Sequence, residues 1–132
     1  CLEKGEMVVS FLLPERPSHS GDAYLRFTPR TEMDIAVVGA AVNLTLDDGG
    51  TCIAARVAVG AVAPTPLLVP DAADALIGSK VDGAALENLS VAASAACSPI
   101  NDKRGTIEYR TQVAGVLARR AAIIAIDRAG QN

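Results

Sequence analysis

Two long runs of β-forming residues dominate the hydrophobic pattern of the chain. They are Ile35 to Leu46 and Thr51 to Val62, and the polar stretch Asp47 to Gly50 joins them. Glycine supplies the positive φ angles that a tight connection between antiparallel strands requires, so this pattern predicts a β-hairpin. Side chains alternate between the two faces of a strand. The predicted core face of the first arm, which helices should cover, comprises Val38, Val42, Leu44 and Leu46, and the other face carries Ile35, Val37, Asn43 and Thr45.

Two shorter apolar runs precede the hairpin and predict further strands. Met7 to Leu13 is closed by Pro14 and a turn-rich stretch. Ala23 to Phe27 ends before Pro29, which has no N–H to donate to a strand ladder. The sheet should therefore contain three to four antiparallel strands.

The pattern changes to helical spacing after residue 70. A short helix is predicted over Asp71 to Ile77, with Asp71 as N-cap and Gly78 as its end, and Asp82 should cap a second helix that runs to about Cys97. A third helix is predicted from about Thr106 to Arg128. Its predicted apolar stripe comprises Tyr109, Val113, Val116, Leu117 and Ile124. Strands followed by helices indicate an α+β domain, in which about three helices pack on one face of the sheet.

The composition supports one domain and excludes some classes of binding partner. The 132 residues are half apolar, but they include no Trp, only two Phe and two Tyr, and 24 Ala, so many small contacts must supply the stability of the core. The net charge of −3 and the scattered Lys and Arg residues argue against nucleic acid as a partner. No apolar run reaches membrane-spanning length, so no membrane insertion is expected. The chain begins at Cys rather than Met, and we therefore expect a piece of a longer protein.

The sequence offers no self-sufficient active site. Cys1, Cys52 and Cys97 lie far apart without a CxxC pair, which favours free thiols in a reducing cytoplasm over a disulfide or a metal site. A lone loop histidine, His19, is more typical of a solvated side chain than of a catalytic base. Phosphate-binding glycine loops are absent. We therefore expect no catalytic and no metal-binding residues in this chain.

Several charged residues allow a functional and a structural interpretation. Glu32 and Asp34, next to Arg30, could perform acid–base chemistry, but a salt-bridged or solvated strand end is the favoured interpretation. Four arginines of the last predicted helix could bind an anion, but they fall on several sides of the helix, which favours a solvated exterior with ion pairs. These arginines are Arg110, Arg119, Arg120 and Arg128.

Three blocks, in this order, resemble the C-terminal domain of the FAD-carrying subunit of molybdenum hydroxylases, the class of carbon monoxide dehydrogenase and xanthine dehydrogenase. They are AYLRFTPRTEMDIAVVGAAV (23–42), ARVAVGAVAPTPLLVPDAADALIG (55–78) and PINDKRGTIEYRTQVAGVLARRA (99–121). The resemblance covers roughly residues 4 to 126. The segment GEMVVSFLLP is similar to the end of the upstream FAD-binding domain in that family. The resemblance therefore implies that residues 1–22 are the tail of that domain with a linker, and that residues 23–132 form the C-terminal domain.

In such enzymes a molybdenum–pterin centre in a large subunit oxidises the substrate. Electrons then pass through iron–sulfur clusters in a small subunit to FAD in the medium subunit, and on to NAD or a quinone-type acceptor. The resemblance thus implies an electron-transfer module that is inactive alone, with FAD held mainly by an N-terminal domain and with molybdopterin and iron–sulfur clusters in partner subunits. The substrate of the complete enzyme stays open. The run from Thr28 to Met33 is closer to the carbon monoxide dehydrogenase type.

The resemblance also implies roles for individual residues. Val8 and Arg26 match positions that contact the flavin, and a cation at Arg26 would favour the negatively charged reduced flavin. Asp34 and Arg104 would fix loops through charge-assisted hydrogen bonds. Tyr109 and Arg110 would pack and pair the last helix against the sheet.

Two alternatives stay open at this stage. One is a non-enzymatic docking domain for the molybdenum and iron–sulfur subunits, and the other is an unrelated small α+β binding protein. The isolated piece could also form a homodimer through surface that neighbouring domains would otherwise cover.

Overall fold

The computed structural model describes residues 2–131 as one antiparallel sheet covered on one face by helices. Four strands follow the chain in spatial order: β1 (Ser20–Phe27), β2 (Val38–Leu46), β3 (Cys52–Gly60) and β4 (Leu67–Leu68). Three helices follow: α1 (Pro70–Asp74), α2 (Gly83–Ala95) and α3 (Ile107–Ala129). The predicted α+β class, with strands first and helices second, is confirmed.

The predicted hairpin is β2 and β3, and its turn is built from backbone and carboxylate contacts. The Gly50 N–H donates to the Asp47 carbonyl (2.9 Å), and the Thr51 N–H donates to the Asp47 carboxylate (2.7 Å). Gly50 has a φ of +79°, which is the positive value that the Gly-Gly pattern predicts. β2 begins at Val38 rather than Ile35, because the residues before it form a loop.

The core lies between the sheet and the helices. Val38, Val42 and Leu44 on the predicted core face are fully buried, and Leu46 is half-buried. The predicted stripe of α3 is confirmed at Leu117, which is buried, and at Val113 and Ile124, which are partly buried against the core. It is wrong at Tyr109 and Val116, which are exposed. Most of the buried positions on α3 are alanines: Ala114, Ala118, Ala121, Ala122, Ala125 and Ala129.

The close approach of α3 to β1 explains why alanine replaces larger residues in this layer. A Cβ atom added to Gly21 of β1 would lie 2.0 Å from the Ala125 carbonyl oxygen, which is far inside van der Waals contact. Only glycine on the strand and alanine on the helix leave room for this spacing. The helix therefore buries much backbone and little side-chain volume per residue.

Two helices begin at side-chain N-caps, of which Asp82 was predicted, and the third predicted helix begins at Thr106 as expected. The Asp82 carboxylate accepts from the N–H groups of Ala84 and Ala85, and the Thr106 hydroxyl accepts from the Tyr109 N–H. The prediction of Asp71 as N-cap is wrong. Pro70 lies in the first turn of α1 and Val69 precedes it, so Asp71 is already inside the helix.

The prediction of a strand over Met7 to Leu13 is wrong for this chain. Residues 6–17 belong to no helix or strand, and no strand of the described residues pairs with them. Every large apolar side chain in this stretch is at least half exposed, with values from 52% at Val8 to 95% at Leu12. A strand requires a partner, and residues 2–131 provide none here.

Candidate functional site

Arg26 lies on the sheet face that no helix of the chain covers. Along β1, the side chains of Ala23, Leu25 and Phe27 pack towards the core, whereas Tyr24 and Arg26 are exposed on the opposite face. Within residues 2–131, the Arg26 guanidinium group has no ion pair. It is therefore a cation available to a group outside the chain.

The surface beside Arg26 is flat because small residues form it. Gly39, Ala41, Ala58 and Gly60 occupy paired positions on β2 and β3, and Tyr24 lies next to Gly39, where an added Cβ would come within 3.0 Å of its hydroxyl oxygen. Shallow depressions of about 200 and 190 Å³ lie against Tyr24. We name this surface, formed by the uncovered side of β1 to β3, the open face.

The open face suits a contact with part of a flavin. A guanidinium group supplies N–H donors for the carbonyl oxygens of an isoalloxazine ring, and a flat, weakly polar surface tolerates a planar ring system. The chain has no glycine-rich loop that could hold a pyrophosphate. These residues therefore fit the ring end of FAD and leave the rest of the cofactor to another domain.

Val8, the second predicted flavin contact, lies elsewhere in the chain. It belongs to the extended N-terminal segment, is about half exposed, and does not line the depressions around Tyr24. The structure therefore does not bring Val8 and Arg26 into one site. Both assignments stay predictions.

The loop after β1 is fixed by Asp34, as predicted. Its carboxylate accepts from Arg104 Nε (3.2 Å), from Arg30 Nε (3.4 Å) and from the Ile35 N–H (2.8 Å). Burial pushes the pKa of Asp34 upward, but these hydrogen bonds outweigh it and hold the pKa below its usual range. The salt-bridged interpretation of this strand end is therefore the one the structure supports, and the exposed Glu32 lies in the same loop.

Arg110 corrects the prediction of a solvated helix exterior. It is buried, its Nη2 lies 2.6 Å from the Asp102 carboxylate, and its Nη1 donates to the carbonyl oxygens of Val37 (2.9 Å) and Ala61 (3.3 Å). The hydrogen bond from Arg110 is the main reason that the pKa of Asp102 is lowered. The predicted pairing of α3 with the sheet is confirmed for Arg110. For Tyr109 the contact is an edge-to-face packing on Phe27, with ring centres 6.2 Å apart.

The other three arginines of α3 lie on its exposed side, as predicted. Arg119 is 4.0 Å from the Glu87 carboxylate, Arg128 Nη1 donates to the Asp22 carbonyl (2.6 Å), and Arg120 has no ion pair within the described part of the chain. Exposed pairs of this kind contribute little to stability. Sequence reasoning missed only Arg110, because helical spacing alone does not reveal the loop carbonyls that surround it.

The remaining candidates for chemistry show no catalytic arrangement. His19 is half exposed and its Nε2 lies 3.6 Å from the Asp48 carboxylate. Cys52 and Cys97 are free thiols, and burial raises the pKa of both; Cys1 lies outside the described residues. Residues 2–131 contain no cluster of potential metal ligands and no helix long and apolar enough to cross a membrane.

Comparison with known proteins gives matches over nearly the whole chain. The carbon monoxide dehydrogenase medium chain of Afipia carboxidovorans is 39% identical over 129 residues, which cover 98% of this chain and 44% of that protein. A putative xanthine dehydrogenase FAD-binding subunit of Escherichia coli is 28% identical over 130 residues, again 98% of this chain and 44% of the relative. The chain thus spans less than half the length of these curated relatives.

Solved structures give the same picture. The reconstituted CO dehydrogenase from Oligotropha carboxidovorans superposes with a TM-score of 0.82 at 39% identity, over 88% of this chain and 40% of that one. Quinoline 2-oxidoreductase from Pseudomonas putida 86 superposes with a TM-score of 0.77 at 28% identity, over 83% and 38%. The family model of the CO dehydrogenase flavoprotein C-terminal domain matches residues 23–125. The chain therefore belongs to the CO dehydrogenase flavoprotein C-terminal domain family.

Proposed function

We propose that the chain is the C-terminal module of the FAD-binding medium subunit of a molybdenum-containing hydroxylase. In the complete enzyme this subunit passes electrons from iron–sulfur clusters through FAD to an acceptor of the NAD or quinone type. The observation that carries the proposal is the family match over residues 23–125, together with relatives named as medium chains and FAD-binding subunits. The module has no catalytic residue of its own and acts only within the assembly.

The residues before β1 form the tail of an upstream FAD-binding domain and a linker. The C-terminal domain, expected from residue 23, begins instead with β1 at Ser20, because the first residues of that strand pair with β2 and Gly21 packs on α3. The stretch Met7 to Leu13 supports a separate N-terminal part, because it is apolar, lies in no strand and is uncovered by the rest of the described chain. Such a stretch is stable in water when it joins the edge of another sheet. The upstream domain supplies that sheet.

Arg26 on the open face and Val8 in the preceding segment would be this chain's contacts with FAD. The bound cofactor would supply the electron-storing chemistry. The guanidinium group would donate N–H bonds to the ring and would stabilise negative charge on the reduced ring, an effect that grows where water is excluded. The absence of an acidic partner for Arg26 within residues 2–131 supports this role.

The partners are the molybdenum-binding large subunit and the iron–sulfur small subunit, and the assembly is cytoplasmic. The relatives support a multi-subunit setting, since one is named a medium chain and another a complex subunit. The separated chain is expected to form homodimers through the apolar surface that its neighbours would cover. Substrate choice belongs to the large subunit.

The test uses the full-length subunit and compares Arg26→Gln with Arg119→Gln. Arg119 is the control, because it is an exposed arginine on α3, beside Glu87, and lines neither depression of the open face. Loss of one cation near the ring should make the two-electron potential of the flavin about 20–40 mV more negative, with little change for Arg119→Gln. Equal potentials for both variants and the parent protein would remove Arg26 from the flavin site.

The alternative function is a docking domain that carries no flavin contact. FAD titrations of the upstream domain, with and without this module, discriminate between the two. Tighter FAD binding in the presence of the module favours the electron-transfer proposal. Unchanged FAD affinity, combined with loss of subunit assembly when the module is deleted, favours docking.

A further inference from the structure

β1 is an edge strand, and its outer side presents unpaired backbone groups. The Leu46 N–H donates to the His19 carbonyl (2.9 Å), and the regular pairing of Ser20 to Phe27 with β2 continues from that bond. In an antiparallel pair, every second residue makes the hydrogen bonds between the strands. The odd-numbered residues of β1 therefore bond to β2, and the backbone N–H and C=O groups of the even-numbered residues point away from it. The Arg128 side chain confirms this direction, since it donates to the Asp22 carbonyl from outside the sheet.

Two residues on this edge have backbone groups that no part of the described chain satisfies. The alternation directs the N–H and C=O of Tyr24 and Arg26 outward, and no other strand, helix or side chain of residues 2–131 bonds to them. These four groups form one short row. An extended polypeptide can pair with such a row.

A groove runs beside the row. It has a volume of about 510 Å³ and lies between β1 and α3. Its apolar lining is Leu25, Phe27, Leu117, Ile123 and Ile124. An added strand would direct every second side chain into this groove. Arg120 of α3 lines the same groove, is exposed, and has no carboxylate partner within residues 2–131.

We infer that β1 receives an extended segment of a partner polypeptide, which adds a fifth strand to the sheet. The segment carries apolar side chains at alternate positions, which fill the groove, and one carboxylate on the same side, which pairs with Arg120. Backbone pairing, apolar burial and charge each favour this occupant separately. The flavin contact proposed for Arg26 is compatible with this occupant. Arg26 also lines the groove, and the alternation along β1 directs its side chain, like that of Tyr24, towards the open face.

The test uses the full-length subunit and a blocked peptide, acetyl-Val-Thr-Val-Thr-Glu-Thr-amide, which places two valines and the glutamate on one side of a strand. Binding is followed by amide NMR shifts and hydrogen exchange. Saturating peptide should slow exchange at the Tyr24 and Arg26 amides by at least about tenfold, because both would become hydrogen-bonded. Shifts centred on any other surface, or no binding, would overturn the inference.

Charge exchange tests the orientation of the bound segment. Arg120→Glu should weaken binding of the glutamate peptide by about fivefold, and a peptide with Lys in place of Glu should recover that loss. Arg119→Glu is the matched control and should leave affinity unchanged, because Arg119 does not line the groove. Ile123→Ser should weaken both peptides. If exchange at Tyr24 and Arg26 is already slow without peptide and becomes fast on dilution, a second copy of this chain occupies the edge and the inference fails.

Discussion

Replacing Gly21 by alanine tests the contact that positions β1. A Cβ atom at this position would lie 2.0 Å from the Ala125 carbonyl oxygen, 2.6 Å from the Ala129 nitrogen and 3.0 Å from the Ala125 carbonyl carbon. All three are backbone atoms of α3, so no side-chain rotation can relieve the overlap. The strand and the helix must separate by roughly 1.5 Å before carbon and oxygen reach an ordinary contact distance.

That separation has a cost beyond the overlap itself. Overpacking that neighbouring groups can absorb costs about 1–3 kcal/mol. Here the alanines that α3 buries against the sheet would also lose contact, since a gap of about 0.5–1 Å removes a quarter to a half of the attraction between two atoms. We therefore expect Gly21→Ala to lower the free energy of unfolding by about 3 kcal/mol or more.

Two glycines of the same sheet provide graded controls. An added Cβ at Gly60 meets nothing within 4 Å, so Gly60→Ala should change stability by less than about 0.5 kcal/mol or raise it slightly. At Gly39 the nearest atoms belong to the exposed Tyr24 side chain, which can move, so Gly39→Ala should cost about 1 kcal/mol or less.

Urea unfolding followed by circular dichroism measures all three variants. With an m-value of about 2 kcal/mol/M, the Gly21→Ala midpoint should fall by about 1.5 M, while the Gly60→Ala midpoint stays near that of the parent chain. An equal midpoint for Gly21→Ala and Gly60→Ala would show that α3 does not lie this close to β1. The distance between α3 and β1 would then not explain why alanines occupy the buried face of α3.

Three further changes test the rest of the packing and the ion pairs. Gly115→Val should destabilise by about 2–3 kcal/mol in urea melts, because a Cβ at Gly115 would come within 2.7 Å of the Ser90 carbonyl oxygen; an unchanged midpoint would contradict the α2–α3 contact. Arg110→Met should cost about 2–4 kcal/mol, since it removes the donor to the buried Val37 carbonyl oxygen and to the partly buried Ala61 carbonyl oxygen and breaks the pair with Asp102, and a neutral result would refute the burial of Arg110. The pKa values of Asp34 and Asp102 are lowered by folding, so the stability they confer is present above their ordinary value of 3.8 and is lost as the pH falls through the lower folded values. Asp102→Asn should flatten the decline of the unfolding free energy below about pH 4, and an unchanged acid profile would exclude its pairing with Arg110.

Local chemistry made most of the elements predictable. The hairpin followed from alternation and the Gly-Gly turn, the cap of α2 followed from Asp82, and the start of α3 near Thr106 followed from helical spacing, because each signal acts within a few residues. The loop-fixing pair of Asp34 and Arg104 came from the family resemblance and is present at 3.2 Å.

Features that depend on distant neighbours were not predictable in this way. Large residues at helical spacing marked only one side of the buried face of α3, because the distance of this helix from β1 favours alanine at most of the buried positions. The burial of Arg110 depends on the carbonyl oxygens of Val37 and Ala61, which lie 73 and 49 residues away. Met7 to Leu13 has the composition of a strand, but composition does not state which sheet it joins.

The close packing of α3 on β1 links the two proposed contacts of this module. β1 carries the Arg26 side chain on its open face and unpaired backbone on its edge, and the groove beside that edge is completed by α3. Arg26→Gln should therefore change the flavin potential and leave peptide binding intact. Arg120→Glu should weaken peptide binding and leave the flavin potential unchanged. Gly21→Ala moves the strand relative to the helix, so it should weaken peptide binding even where the chain stays folded. This pattern follows only if strand and helix form one rigid unit, which is the property that the alanine-lined contact provides.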